Sequence, residues 1–323
     1  MVLLLVVPNM QMGQIHEDAI DVFKTVAPKI YQNKNSYKLS HTNSFVEKAE
    51  AESDLSTLPA YVVTDFESGK VLYQKNLSKK LPIASLTKIM SAVVALDLAS
   101  PTELFTYSQR ALSQQATRLA FSPGDKLTLE ELLNAALLTS ANDCVEAIRE
   151  GIDTKYGGNV FMRAMNEKAR FIGLKNTHFD NPQGFDGETH YSSVEDLAIL
   201  THYALSNYPL IAEIVEKDHG ELPPTAYHTR AEHLNNWNGL IGVYPGVKGV
   251  KIGNTGDAGN TTAVLSEREG KKVLAILLGA SGVLERDLFA SELLNIGFES
   301  FSIPSVIITE EQLFEKYGTW KYE

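Results

Sequence analysis

A serine and a lysine three residues apart, Ser85 and Lys88 in LPIASLTKIMSAVVAL, are the first side chains whose types and spacing suggest a reaction. Positions i and i+3 share a face of a helix, so the two meet if this segment opens one. A serine hydroxyl is a weak nucleophile at neutral pH and needs a base beside it. A lysine can serve once burial or a neighbouring cation lowers its pKa. A helix N-terminus would also aim backbone N–H groups at the oxyanion of an acyl transfer. The S-x-x-K spacing is common, and alone it reads equally well as a capping serine followed by a solvated lysine. Two further stretches strengthen it. Ser140-Ala141-Asn142, in LLTSANDC, sets small polar side chains between apolar runs, where they either cap a helix or face a cleft. Lys251-Ile252-Gly253-Asn254-Thr255 follows an alternating pattern, so Lys251 is a charge on a strand.

The elements that must position these residues are legible around them. Ile89, Met90, Val93, Val94 and Leu96 predict a helix behind Ser85, apolar on most sides and therefore buried. Residues 61–65 and 71–74 are β-prone runs separated by a Gly-containing turn and predict a hairpin; 261–266 and 272–278 predict a second. Thr128 and Glu131 have capping-box spacing and predict a helix start. Further helices are expected over 160–172, closed by Gly173, and over 194–205, 211–215 and 285–296. Residues 105–128 read as short strands and loops, and 176–187 as a loop dense in turn formers. His228 and His233 read as loop residues; they form no H-E-x-x-H pair, so no metal site is expected.

Composition narrows the class. Hydrophobic residues make up 44% of the 323 and charged residues 21%, as in folded globular chains. Acidic residues outnumber basic ones, 40 to 29, for a net charge of −11, which speaks against nucleic acid as a partner. The single cysteine, Cys144, allows no internal disulfide and sits in an apolar helical pattern, as a small core residue would. The opening MVLLLVVP is apolar but lacks a preceding basic region, so it reads as a signal peptide or anchor whose start is missing, as a short segment that associates with a membrane through the N-terminus, or as a strand. Residues 1–57 are expected to comprise this run and a polar linker holding one amphipathic helix over 18–30; 58–298 form the catalytic domain, and 299–323 are a tail.

Ser85-x-x-Lys88, Ser140-x-Asn142 and Lys251-x-Gly253 stand in the order found in penicillin-binding proteins and class A β-lactamases. Together with FMRAMNEKARFIGLKNTHFDNPQG and YPGVKGVKIGNTGDAG, they make residues 58–298 resemble the D-alanyl-D-alanine carboxypeptidases, the low-molecular-mass penicillin-binding proteins. The resemblance implies an α+β, β-lactamase/transpeptidase-like fold, with an antiparallel sheet flanked by helices against an all-helical region. It implies a peptidoglycan stem peptide ending in D-Ala-D-Ala as substrate, β-lactams as covalent inhibitors, no cofactor, and work outside the cytoplasm. Ser85 would be the nucleophile, Lys88 its base, Ser140 a proton relay and Asn142 an orienting group. Lys251 would supply positive potential for the substrate carboxylate, and the backbone N–H groups of Ser85 and Asn254 an oxyanion hole beside Gly253.

One position departs from the family. Ile252 stands where a Thr or Ser usually donates to the substrate carboxylate, and a lost hydrogen bond to a charged group costs about 1.5–3 kcal/mol. Asn254 or Thr255 could replace that donor, and alternation places Asn254 on the Ile252 face. Three other readings compete with the carboxypeptidase: a D,D-endopeptidase of cross-links, a β-lactamase, and a non-catalytic peptidoglycan-binding homologue. The E-x-x-L-N text of a β-lactamase occurs only at Glu130–Asn134, on the wrong side of Ser140. An α/β-hydrolase lacks its G-x-S-x-G.

Overall fold

The structure, a computed structural model, describes residues 23–40 and 54–320. In chain order, helix α1 (23–30) is followed by a 3-10 turn (Asp54–Thr57) and the hairpin β1 (Ala60–Asp65) and β2 (Val71–Lys75). A second 3-10 turn (Ala84–Leu86) leads directly into α2 (Thr87–Leu98). Then come β3 (Leu104–Thr106), α3 (Gln109–Leu112), β4 (Lys126–Thr128), α4 (Leu129–Leu138), α5 (Asn142–Tyr156), α6 (Val160–Ile172), α7 (Val194–Asn207) and α8 (Pro209–Glu216). The strands β5 (His219–Leu222) and β6 (Glu232–Asn235) pair with each other. The chain continues through β7 (Val247–Thr255), β8 (Gly259–Arg268), β9 (Lys271–Ala280), α9 (Val283–Glu299) and α10 (Glu310–Gly318).

Five strands form one antiparallel sheet in the order β2-β1-β9-β8-β7, with β7 at an edge. Period-2 side-chain alternation divides the core in two. Val62, Leu274, Ile276 and Leu278 point into the helical region, where α2, whose Ile89, Met90, Val93 and Val94 are fully buried, runs through the middle. Tyr61, Val63, Val273, Ala275 and Leu277 face the other way, under α9 and α10. A sheet with helices on one face and a larger helical body on the other is the α+β arrangement expected from the sequence.

Most expected elements form where the pattern placed them. The capping box is complete: Thr128 Oγ1 accepts from the Glu131 N–H, and Glu131 Oε2 accepts from the Thr128 N–H at 2.7 Å. Gly173 closes α6 in the left-handed conformation.

Three expectations change. Residues 23–40 are not linker throughout: Val26 and Ile30 are buried in the helical core, and the buried Lys168 donates to Ile30 O at 2.6 Å while pairing with Asp97. His233 lies on β6 rather than in a loop; HGEL and EHLN carry no apolar alternation that would reveal strands. The tail is no appendage either, since the fully buried Leu313 plugs α10 into the second core. The expected helical residues 18–22 and the apolar run 1–8 lie outside the described residues. No described helix is long and apolar enough to cross a membrane.

Candidate active site

Ser85 sits in the 3-10 turn and Lys88 in the first turn of α2. A 3-10 turn eclipses side chains three apart, which brings Lys88 Nζ to 2.7 Å from Ser85 Oγ. The turn is held in an uncommon shape: Ala84 has φ +49, a left-handed conformation that costs about 1–2 kcal/mol. Its supports are local. Thr87 Oγ1 donates to Ala84 O at 2.9 Å and is itself 2.8 Å from His190 Nε2. His190 Nδ1 accepts from the Asp180 N–H, which fixes Nε2 as the protonated nitrogen. Burial holds the imidazole neutral, with its pKa down to about 4. Gly184 packs against the same turn so closely that a Cβ there would lie 2.0 Å from Ala84 O.

Lys88 is wholly enclosed, and its amine touches three oxygens: Ser85 Oγ, Asn142 Oδ1 at 2.8 Å and Gln183 O at 2.7 Å. Burial, and then the positive charge of Lys251, push its pKa well below the ordinary lysine value. A neutral amine has two N–H donors and one lone pair. The carbonyl oxygens of Asn142 and Gln183 can only accept, so in the neutral form, which the lowered pKa favours, they would take both donors and leave the lone pair to the Ser85 hydroxyl. Both acceptors are themselves fixed. Asn142 Nδ2 donates to Gln115 O, setting the orientation of its amide, and Gln183 Nε2 donates to Glu146 at 2.7 Å. Burial works to raise the Glu146 pKa, but hydrogen bonds from Arg149, Gln183 and Arg110 outweigh it and hold the carboxylate low.

Ser140 and Asn142 do not cap α5; Ala141 occupies the cap position without a side-chain bond. Ser140, at φ +63, is the second left-handed residue of the site, and both polar side chains line the cleft. Asp143, which accepts from Tyr107 Oη at 2.6 Å and from the Ala120 N–H, ties the facing loop to α5.

The opposite wall is β7. Gly253 has no room for a side chain: a Cβ would lie 2.7 Å from the Ser85 N and 2.9 Å from the Ala84 Cβ. Lys251 shares its strand face; it is buried, and its amine has no hydrogen-bond partner among the described residues. Burial, and then the charge of Arg286, bring its pKa down to about 7. Ile252 and Asn254 lie on the alternate face and line the cavity. Asn254 Nδ2 donates to Asn260 at 2.7 Å. Thr255 does not belong to the cleft as expected: its hydroxyl donates to Asp186 at 2.6 Å, and it lies outside the residues lining the cavity.

The cavity, about 260 Å³, also takes in residues that sequence reasoning missed: Arg286, Val283, Trp237 and Trp320. Arg286 is buried, with Nε and Nη2 bound to Asp287 and Nη2 also reaching Trp237 O. Its Nη1 has no partner among the described residues. No spacing in the sequence singles Arg286 out, since it is one charge in a helical stretch.

A serine hydroxyl 2.7 Å from a buried amine whose pKa is lowered, beside a cleft with Arg286 in its wall, is an arrangement suited to serine–lysine acyl transfer on an α+β scaffold. Comparison with known proteins gives the family. The sequence model of the D-alanyl-D-alanine carboxypeptidases matches residues 46–282, and the chain belongs to that family. It is 32% identical over 245 residues to the D-alanyl-D-alanine carboxypeptidase DacF of Bacillus subtilis, covering 74% of this chain and 62% of that one. It is 28% identical over 247 residues to a D-alanyl-D-alanine carboxypeptidase of a Streptomyces species, covering 72% and 84%. The crystal structure of the Streptomyces K15 DD-transpeptidase superposes with a TM-score of 0.69 at 26% identity, over 75% of this chain and 97% of that one. The chain spans about two thirds or less of several of the curated relatives it matches.

Proposed function

We propose that the protein is a serine D,D-carboxypeptidase that removes the terminal D-alanine from peptidoglycan stem peptides. The observation that carries this is the buried Lys88 amine, 2.7 Å from Ser85 Oγ and held there by the carbonyl oxygens of Asn142 and Gln183. Lys88 removes the proton as Ser85 Oγ attacks the carbonyl carbon of the D-Ala–D-Ala bond. The backbone N–H groups of Ser85 and Asn254 receive the oxyanion. The proton passes through the Ser140 hydroxyl to the departing amine, the C–N bond breaks, and D-alanine leaves an ester on Ser85. Water, deprotonated by Lys88, then attacks the ester and frees Ser85.

The terminal carboxylate is drawn by Lys251 and by Nη1 of Arg286, which take over from the hydroxyl that Ile252 cannot supply. Family members act on a substrate found outside the cytoplasmic membrane, and we place this chain there too; membrane association through residues 1–22 rests on sequence alone. A β-lactam, which offers a strained amide beside a carboxylate, would acylate the same Ser85.

The test is release of D-alanine from an N-acylated peptide ending in D-Ala-D-Ala. Wild type is expected to release it and Ser85→Ala to release none. No release by wild type, with a folded protein, would overturn the reading. An endopeptidase would instead convert cross-linked dimers to monomers in purified sacculi.

A further inference from the structure

The last described residues return to the active site. Helix α10 is pinned at several points. Leu313 is fully buried, Tyr317 Oη donates to Asp287 at 2.8 Å, and Lys316 pairs with Asp218. Ahead of the helix, Asn295 holds the segment by its side chain, donating to Val306 O and accepting from the Val306 N–H. Gly239 makes room for this docking: a Cβ there would lie 2.6 Å from the Tyr317 ring and 2.2 Å from Asp287. Trp320 follows, its ring 4.8 Å from that of Tyr317 and its backbone N–H donating to Tyr317 O, and it forms part of the cavity wall. Three separate parts of the chain thus meet at one end of the cleft: Trp237 before β7, Val283 and Arg286 on α9, and Trp320 beyond α10.

We propose that Trp320 is a specificity-determining residue, the wall that restricts the side chain of the leaving residue to about the size of a methyl group. The inference rests on the D,D-peptidase reading of the site. In such a substrate the carbon bearing the carboxylate also bears the leaving residue's side chain. Arg286 places the carboxylate at this end of the cleft, on the same carbon as that side chain. A terminal D-alanine brings a methyl group to the apolar surface of Trp320, Trp237 and Val283. A cross-link brings a long chain to the same place, and the rings close it off. Trp320 therefore turns a site whose chemistry suits both bonds towards the chain-terminal one.

The experiment compares kcat/KM for acyl-D-Ala-D-Ala and acyl-D-Ala-D-Leu, with penicillin labelling of Ser85 measured in parallel. Wild type prefers the D-Ala peptide. W320A raises the D-Leu to D-Ala ratio by about tenfold or more, the scale on which a pocket resolves one or two methylenes, while W320F keeps the wild-type ratio. Should W320A fail to fold, W320L removes the ring wall, keeps an apolar side chain against α10, and reads the same ratio. An unchanged ratio in a W320A or W320L variant that still releases D-alanine overturns the inference alone. Equal loss of both peptides and of penicillin labelling also overturns it, because Trp320 would then support the site rather than select its substrate. A folded wild type inert towards both peptides overturns the D,D-peptidase reading and this inference with it.

Discussion

The two walls of the cleft are built to opposite rules. On the helical side the buried amine and the groups that hold it are paired: Lys88 is satisfied by Ser85, Asn142 and Gln183, and behind these stand Gln115, Glu146 and its arginines. On the sheet side the Lys251 amine is buried and unpartnered among the described residues, Arg286 has one free edge, and Ile252, Trp237 and Trp320 add apolar surface. A buried polar group without a partner is costly, so it persists where a ligand supplies one. On the function proposed above, the paired wall would make and break the bond, and the unpaired wall would recognise the carboxylate and be completed by it.

Changes to the first wall should therefore abolish chemistry. Lys88→Met removes the base and is expected to slow acylation of Ser85 about 10²–10⁴-fold, read as the rate of penicillin adduct formation. The same change leaves Asn142 Oδ1 and Gln183 O without that donor, so a modest fall in melting temperature is expected beside it. An acylation rate that stays at the wild-type value would mean that Lys88 is a structural residue and not the base. Gly253→Ala tests the contact between the walls. Its new Cβ meets the Ser85 N and must displace the nucleophile's turn, with an expected loss of about 100-fold in acylation and little change in far-UV circular dichroism.

Changes to the second wall should act on recognition. Ile252→Thr restores a donor for the carboxylate and should raise kcat/KM about tenfold or more for a peptide ending in a free carboxylate. The C-terminal amide of that peptide should gain far less; equal gains would place the effect in cavity shape instead.

The smallest effect expected is on pH dependence. Lys251 has its pKa depressed to about 7, so it is charged below that pH and loses its charge as pH rises through it. For carboxylate-ended peptides kcat/KM should decline above pH 7, several-fold rather than completely because Arg286 also lines the cavity, and Lys251→Met should remove the decline.

The sequence showed the first wall better than the second, for a physical reason. Ser85 and Lys88 are one turn apart, and Ser140 and Asn142 adjoin a single helix start, so local geometry alone pairs them. Gln183, Glu146 and His190 reach the site through tertiary contacts with no local spacing to reveal them. Arg286 and Trp320 lie 35 and 69 residues beyond Lys251, and only the docking of α9 and α10 on the sheet brings them back. The hairpins and the capping box were legible because alternation and cap chemistry are short-range. The β5/β6 pair was not, since its strands are mostly polar, with β5 largely exposed and β6 burying Glu232 and Asn235 beside Leu234.

The most direct test of the account is to treat the wild-type protein with a penicillin and locate any adduct by intact mass and peptide mapping, with Ser85→Ala alongside. A single acyl group on the peptide containing Ser85, absent from the variant, is the predicted result. A folded wild type that stays unmodified, and remains so after Ile252→Thr, would contradict the claim that Lys88 activates Ser85.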